Sequence, residues 1–264
     1  MKFIKMNGLG NDYIFVDLLE EKIDNPEPLS VKLCDRNRSI GGDGLVLINK
    51  IPCSMGFSMR IFNADGSEAN MCGNAIRCVA RYVFDKGYTD SSIIRINTKS
   101  GVKTAYLTIE NGIVSNVKVD MGVPRFIFES RLMHLKIDAR DVSIYPVSVG
   151  NEHAVYITKE PLDIAFNLAQ KIADAFNNDI NVEVVRVVDD NHIEMRVLER
   201  GAGETMACGT GSTASAFVTM ELGLTNDIVS VKLRGGTLTI EKSNTTYYMS
   251  GIAAYNFKGE TYDG

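Results

Sequence analysis

Histidine is scarce in this 264-residue chain: only His134, His153 and His192 occur, and no CxxC or HExxH spacing accompanies them. Metal ligation is therefore not expected. The plain reading of His192, at the head of an alternating stretch, is a strand-edge side chain. Cysteines number five, an odd count without short repeated spacing, which argues against a disulfide framework and for reduced thiols. No run of 18 or more apolar residues exists, so no membrane span is expected. Basic residues show no surplus: the net charge is −5 with Lys and Arg scattered, and nucleic acid is not an expected partner. The opening ten residues are too polar to read as a signal peptide, so a cytoplasmic location is expected. With 45% hydrophobic and 23% charged residues and no low-complexity tract, the composition is that of a soluble globular protein.

What the chain does contain is one phrase written twice. Arg60-Ile61-Phe62-Asn63-Ala64-Asp65-Gly66-Ser67-Glu68-Ala69-Asn70-Met71-Cys72-Gly73-Asn74 is echoed 136 positions later, without a gap, by Arg196-Val197-Leu198-Glu199-Arg200-Gly201-Ala202-Gly203-Glu204-Thr205-Met206-Ala207-Cys208-Gly209-Thr210. A looser echo, offset by 140, relates Gly10-Asn11-Asp12 to Gly150-Asn151-Glu152. A period of half the chain is too long for a solenoid unit of roughly 20–50 residues. It predicts two related domains, residues 1–121 carrying Cys72 and residues 122–264 carrying Cys208. The last strand, about 252–264, is expected to pack back on the first half.

Local patterns support the same division. In the first half, residues 3–6, 13–18, 45–48 and 57–62 read as strands, 28–34 as a helix and 41–44 as a tight turn. After Cys72 an apolar stripe of Ile76, Val79, Ala80, Val83 and Phe84 predicts a helix that Gly87 ends. Ser100-Gly101 and Asn111-Gly112 then punctuate a run of hairpins. In the second half, residues 162–176 predict a single helix, residues 182–188 and 192–198 strands. The helix from 211 to 222, rich in small residues, predicts close packing on several sides. The expected class is α+β: two pseudo-symmetric halves, each a curved, mostly antiparallel sheet wrapped around a central helix.

Each repeated cysteine falls at the start of its helix. Free N–H groups and the positive helix end favour a thiolate there. The amides of Gly73, Asn74, Gly209 and Thr210 are suited to receive a carboxylate. If the two sites face each other, one thiolate removes a proton from a carbon next to that carboxylate, and the opposite thiol returns one to the other face, inverting the centre. No pyridoxal lysine, metal or flavin is needed, and no cofactor is expected. Cys34, Cys53 and Cys78 are expected to be ordinary buried thiols. A redox pair formed by Cys72 and Cys208 stays open on the residues alone. Gly8-Leu9-Gly10 lacks a full GxGxxG or a Walker lysine, so nucleotide binding is not expected.

Six segments carry a resemblance: Gly8-Leu9-Gly10-Asn11-Asp12-Tyr13, Asn63-Ala64-Asp65-Gly66-Ser67, Met71-Cys72-Gly73-Asn74, Gly150-Asn151 with His153, Glu199-Arg200-Gly201-Ala202-Gly203-Glu204-Thr205, and Ala207-Cys208-Gly209-Thr210-Gly211. In this order, and over nearly the whole chain, the sequence resembles the diaminopimelate epimerases. The resemblance implies interconversion of LL- and meso-2,6-diaminopimelate without pyridoxal phosphate, a step towards lysine. It implies that Cys72 and Cys208 are the acid/base thiols, that His153 and Glu199 tune their ionisation, and that Asn11, Asn63, Asn151, Asn181, Glu199 and Arg200 meet the substrate. Asn supplies both donor and acceptor, and Arg200 suits a distal carboxylate.

Four positions depart from the family pattern. Gly44 stands where some members carry a substrate-contacting Gln, Glu152 where Pro is usual, and Arg234 where Pro often stands. Phe257 replaces a Tyr linked to dimer contacts, which leaves homodimer formation open. Two alternatives compete: a two-thiol racemase of proline or hydroxyproline type, and a noncatalytic amino-acid-binding protein on the same scaffold. Asn74, where those racemases usually carry His, weighs against the first; retention of both cysteines weighs against the second.

Overall fold

The computed structural model describes residues 1–51 and 56–262. Cys53, expected to be a buried thiol, lies outside the described residues. The chain packs as two units, Met1–Val119 with Gly251–Gly264, and Asp120–Ser250.

The first unit contains strands β1 (Lys2–Gly8), β2 (Asn11–Asp17), β3 (Gly44–Lys50), β4 (Phe57–Asn63), β5 (Glu68–Ala69), β6 (Ile93–Thr98) and β7 (Gly101–Glu110), with most of β8 (Ile113–Gly122). Its helices are α1 (Pro26–Cys34) and α2 (Gly73–Asp85). The second unit holds β9 (Arg125–Phe126), β10 (Met133–Ile137), β11 (Arg140–Ser148), β12 (Glu152–Ile157), β13 (Asn181–Asp189), β14 (His192–Glu199), β15 (Gly203–Glu204), β16 (Ile228–Leu233), β17 (Gly236–Ser243) and nearly all of β18 (Thr246–Gly251). Its helices are α3 (Leu162–Ala165), α4 (Ala169–Asp174) and α5 (Gly209–Glu221). The closing strand, β19 (Ala254–Glu260), pairs antiparallel with β1 inside the first unit.

Both units use one strand plan. In the first, β1–β2 and β3–β4 are antiparallel, β2–β3 and β4–β6 parallel, and β6–β7–β8 an antiparallel meander. In the second, β11–β12 and β13–β14 are antiparallel, β12–β13 and β14–β16 parallel, and β16–β17–β18 the meander. This is the α+β class read from the sequence. The β7–β8 turn is Asn111-Gly112, with φ of 53° and 78°, the paired left-handed conformation that a two-residue hairpin requires.

The repeated phrase folds alike in each unit. Phe62 faces Glu68 across β4–β5, and Leu198 faces Glu204 across β14–β15. The Arg60 Nε–Glu68 Oε1 and Arg196 Nε–Glu204 Oε1 contacts are both 2.7 Å. These short strands escape a sequence reading that treats the segment as loop, because two residues carry no periodicity. A second departure is the helix expected over 162–176, which is instead α3, a 3₁₀ turn Phe166–Leu168, and α4. The break falls at Phe166 and Asn167, both weak helix formers, and the Phe166 ring lies 4.0 Å from the Arg196 guanidinium carbon.

The cores explain why both faces of the central strands are apolar. In the first unit Ile14, Val16, Leu45 and Leu47 pack with Leu33 and Cys34 of α1. The alternate residues Tyr13 and Phe15 are also buried, on the opposite face by the period of two. In the second unit Val182 and Val184 meet Ala165, Leu168 and Ile172 of the short helices. The other side of β13 meets α5, which also touches β11, β12, β14, β16 and β17. That enclosure suits its small side chains. The buried Ser212 and Thr213 hydroxyls donate to the Cys208 and Gly209 carbonyls at 2.7 and 2.9 Å, so the helix meets its own polar demand. Among the described residues no helix is long and apolar enough to cross a membrane.

Gly44 has a structural reason to stay small. A Cβ there would sit 2.6 Å from the Phe62 carbonyl oxygen and 3.3 Å from the Tyr13 ring. A Gln contact from this position is thus excluded without backbone movement. Gly44→Ala is expected to destabilise the protein by about 1–3 kcal/mol, as overpacked sites do, measured as a lower denaturation midpoint in urea.

Candidate active site

In the first unit, β4, β5 and the turn after them deliver Cys72 to the N-cap of α2, in extended backbone with φ −136° and ψ 120°. Its Sγ receives the Ala75 N–H at 3.5 Å and lies 3.1 Å from the Tyr13 hydroxyl. Gly73 and Asn74 are buried behind it. The Asn74 side chain turns inward and accepts from Arg77 Nη2 at 2.9 Å, while Nη1 donates to the Gly73 carbonyl at 2.9 Å. Arg77 is fully buried, and its Nε donates to the Ile252 carbonyl at 3.3 Å. A buried cation therefore underlies the first turn of α2.

The loop carrying Asn11 is clamped by charge. Lys5, buried in β1, pairs with Asp12 at 2.7 Å and donates to the Gly41 carbonyl. Arg36 bridges Asp12 at 2.6 Å and Asp43 at 2.8 Å. The turn between β1 and β2 is thus tied to the one that enters β3. Asn11 itself is buried. Asn63, exposed at the end of β4, donates to Ser67 Oγ at 2.9 Å.

In the second unit Cys208 caps α5 in matching conformation, with φ −125° and ψ 116°, and receives the Gly211 N–H at 3.3 Å. A polar relay leads away from it. Cys208 Sγ is 3.5 Å from Thr210 Oγ1, which accepts from Asn151 Nδ2 at 3.4 Å. Asn151 Oδ1 meets His153 Nε2 at 3.1 Å, and His153 Nδ1 meets Glu183 Oε1 at 2.7 Å. His153 and Glu183 are wholly buried. A Cβ on Gly211 would stand 2.5 Å from Glu183 Oε1, so glycine in the first turn of α5 leaves room for that carboxylate. Glu199 accepts a hydrogen bond from Thr205 Oγ1, and its carboxylate acts electrostatically on the Cys208 thiol.

The remaining predicted residues serve structural contacts. Asn181 donates to the Glu152 carbonyl at 2.8 Å and accepts the Arg200 N–H at 3.0 Å, joining β12 to the turn after β14. The exposed Arg200 guanidinium pairs with Asp179 at 2.6 Å. Three residues that sequence reading leaves unassigned stand in or beside the two sites: Tyr13, Arg77 and Glu183. A charged residue in the valine run of β13 is the one signal that marks Glu183 in advance. Among the described residues no group of three His, Cys, Asp or Glu is placed to hold a metal ion.

Electrostatics separate the thiols. Burial pushes the Cys208 thiol well above the ordinary range, and the Glu199 and Glu183 carboxylates push it further. Burial likewise raises Glu199, with Glu183 adding to it. Burial also pushes Cys34 up to about 11 and Cys78 up to about 12, so these two stay protonated and inert near neutrality. A raised thiol pKa means that alkylation waits for higher pH. Glu199→Gln is expected to bring the onset of Cys208 alkylation by iodoacetamide to lower pH and to leave Cys34 and Cys78 unreactive, read peptide by peptide in a mass spectrometer.

The family model described as diaminopimelate epimerase matches residues 3–127 and 145–255. The diaminopimelate epimerase of Acetivibrio thermocellus is 45% identical over 279 residues, covering 98% of each chain. That of Methanococcus maripaludis strain C6 is 46% identical over 277 residues, covering 98% of this chain and 99% of the relative. Among solved structures, a hydroxyproline epimerase from Agrobacterium vitis with bound trans-4-hydroxy-L-proline superposes with a TM-score of 0.78 at 13% identity, covering 98% of this chain and 91% of the other, a likeness of fold. A family model matching most of the chain and identity of this order over 98% of its length place the chain in the diaminopimelate epimerase family.

Proposed function

We propose that this protein epimerises 2,6-diaminopimelate between its LL and meso forms by two-base proton transfer, with Cys72 and Cys208 as the bases. The observation that carries the reading is the repeated N-cap: each sulfur takes an N–H from the first turn of its own helix. The N–H groups at such a position stabilise the thiolate; at Cys208 burial and two carboxylates oppose them.

Inversion requires an acid and a base on opposite faces of one carbon. One thiolate takes the α-proton and one thiol supplies the replacement; the pair then holds the same total number of protons as before. The raised Cys208 thiol, beside two carboxylates, suits the donor role at the start of one direction. The amides of Gly73, Asn74, Gly209 and Thr210 would hold the α-carboxylate and stabilise the negative charge that develops on it. His153 and Glu199 would adjust Cys208, the first through Asn151 and Thr210, the second directly.

At the distal end Arg200 would exchange Asp179 for the substrate carboxylate. Both partners are more than half exposed, and an exposed pair is worth about 0.2–1 kcal/mol, so the exchange costs little. Asn11, Asn63, Asn151 and Asn181 would complete the recognition of two ammonium and two carboxylate groups. The same reading sets the reaction in the cytoplasm, on the route to lysine.

Cys72→Ala and Cys208→Ala are each expected to lower epimerisation by about 10²–10⁴-fold, the usual worth of a general acid or base; Cys78→Ala should keep it. Activity is measured as loss of optical rotation from LL-diaminopimelate. A fully active single variant of Cys72 or Cys208 would contradict the scheme. Solvent deuterium exchange into diaminopimelate, proline and other amino acids tests the substrate: exchange confined to a smaller amino acid would reject the assignment.

A further inference from the structure

The looser of the two sequence echoes aligns Gly10-Asn11-Asp12-Tyr13 with Gly150-Asn151-Glu152-His153. Tyr13 therefore occupies in the first unit the place that His153 occupies in the second. His153 is linked to Cys208 by hydrogen bonds through Asn151 and Thr210. Tyr13 reaches its cysteine directly, with Oη 3.1 Å from Cys72 Sγ.

Resting on the two-thiol reading above, we propose that Tyr13 is a positioning residue for catalysis, whose hydroxyl donates to Cys72 Sγ and holds the sulfur at the mouth of α2. The geometry leaves its ring little choice. It is 7% exposed, packs edge-on against Phe15 with centroids 6.4 Å apart, and lies across the space that a Gly44 side chain would fill. Strand pairing sets that last contact, since Tyr13 faces Gly44 across β2–β3.

The direction of the effect follows from donor chemistry. While the thiol keeps its proton, either partner can donate and the contact is an ordinary weak one. Once the sulfur is a thiolate it can only accept, and the tyrosine O–H becomes a charge-assisted donor. The contact thus strengthens on ionisation and favours the basic form. Arg77 and Cys78, both on α2, stand in electrostatic reach of Cys72. The Arg77 guanidinium works in the same sense as Tyr13, and the deeply buried Cys78 stays neutral. Cys208, by contrast, has the Glu199 and Glu183 carboxylates acting on it. Tyr13 is therefore part of what makes the two sites unlike.

The test is the pH dependence of Cys72 alkylation by iodoacetamide, read on the peptide that carries it, in wild type and Tyr13→Phe. The variant keeps the ring and removes only the donor. Its midpoint is expected to rise by about one pH unit, an about tenfold lower rate below the midpoint, as fits loss of a hydrogen bond to a charged group. The acid limb of kcat/KM for diaminopimelate should move the same way. A folded Tyr13→Phe with an unmoved midpoint would overturn the proposal, leaving Tyr13 as packing. If Tyr13→Phe does not fold, 3-fluorotyrosine placed at position 13 supplies a more acidic donor: the midpoint should fall, and an unchanged one overturns the proposal equally. Alkylation needs no turnover, so failure of this inference is distinguishable from failure of the epimerase reading, which would appear as an inactive wild type.

Discussion

A sulfur atom closing the first turn of a helix is the interaction on which this structure depends. Ser, Thr, Asp and Asn are the favoured N-caps, and an oxygen accepts the free N–H better than sulfur does. The contacts to Cys72 and Cys208, 3.5 and 3.3 Å long, therefore bring the fold little that serine would not. What cysteine adds is an acid that ionises within reach of neutral pH. The glycine that follows each one, and the hairpin that precedes it, set the sulfur where helix N–H groups can stabilise its charge.

One device in two settings gives two different thiols. Around Cys72 stand a phenolic hydroxyl and the buried Arg77 guanidinium; around Cys208 stand Glu199 and Glu183. The two units share the hairpin, the cap and the strand plan, and differ in what surrounds each sulfur. Position 77 is arginine while its counterpart in the second copy is Thr213, whose hydroxyl is satisfied by the Gly209 carbonyl within its own helix. A two-base inversion needs one partner loaded and one empty, and unlike surroundings bias which is which.

Much of this was legible in the residues because it is local or periodic. The gapless repeat, the stripe Ile76, Val79, Ala80 and Val83, the Asn111-Gly112 turn and the small-residue helix after Cys208 all correspond to elements in the structure. What escaped was set by distant partners. Arg77 sits on the polar side of its helix in a sequence reading, yet the returning segment at Ile252 helps to enclose it. Glu183 stands out as a charge in the valine run of β13, but its burial is set by α5, which packs on that strand from 26 or more positions away. Tyr13 reads as an apolar strand residue until its hydroxyl is seen against a sulfur 59 positions away. The helix over 162–176 was overdrawn for the opposite reason: its apolar spacing persists through a 3₁₀ turn that periodicity alone does not register.

The central claim is that removal and return of the proton belong to two different groups. Isotope content in the first turnovers measures this directly. Protiated LL-diaminopimelate is incubated with the enzyme in deuterium oxide, and both isomers are analysed while little product has formed. The account predicts that the meso product carries one solvent deuterium at the inverted carbon while the remaining LL substrate stays unlabelled. Equal labelling of substrate and product from the outset would mean that one base serves both faces, and would contradict it.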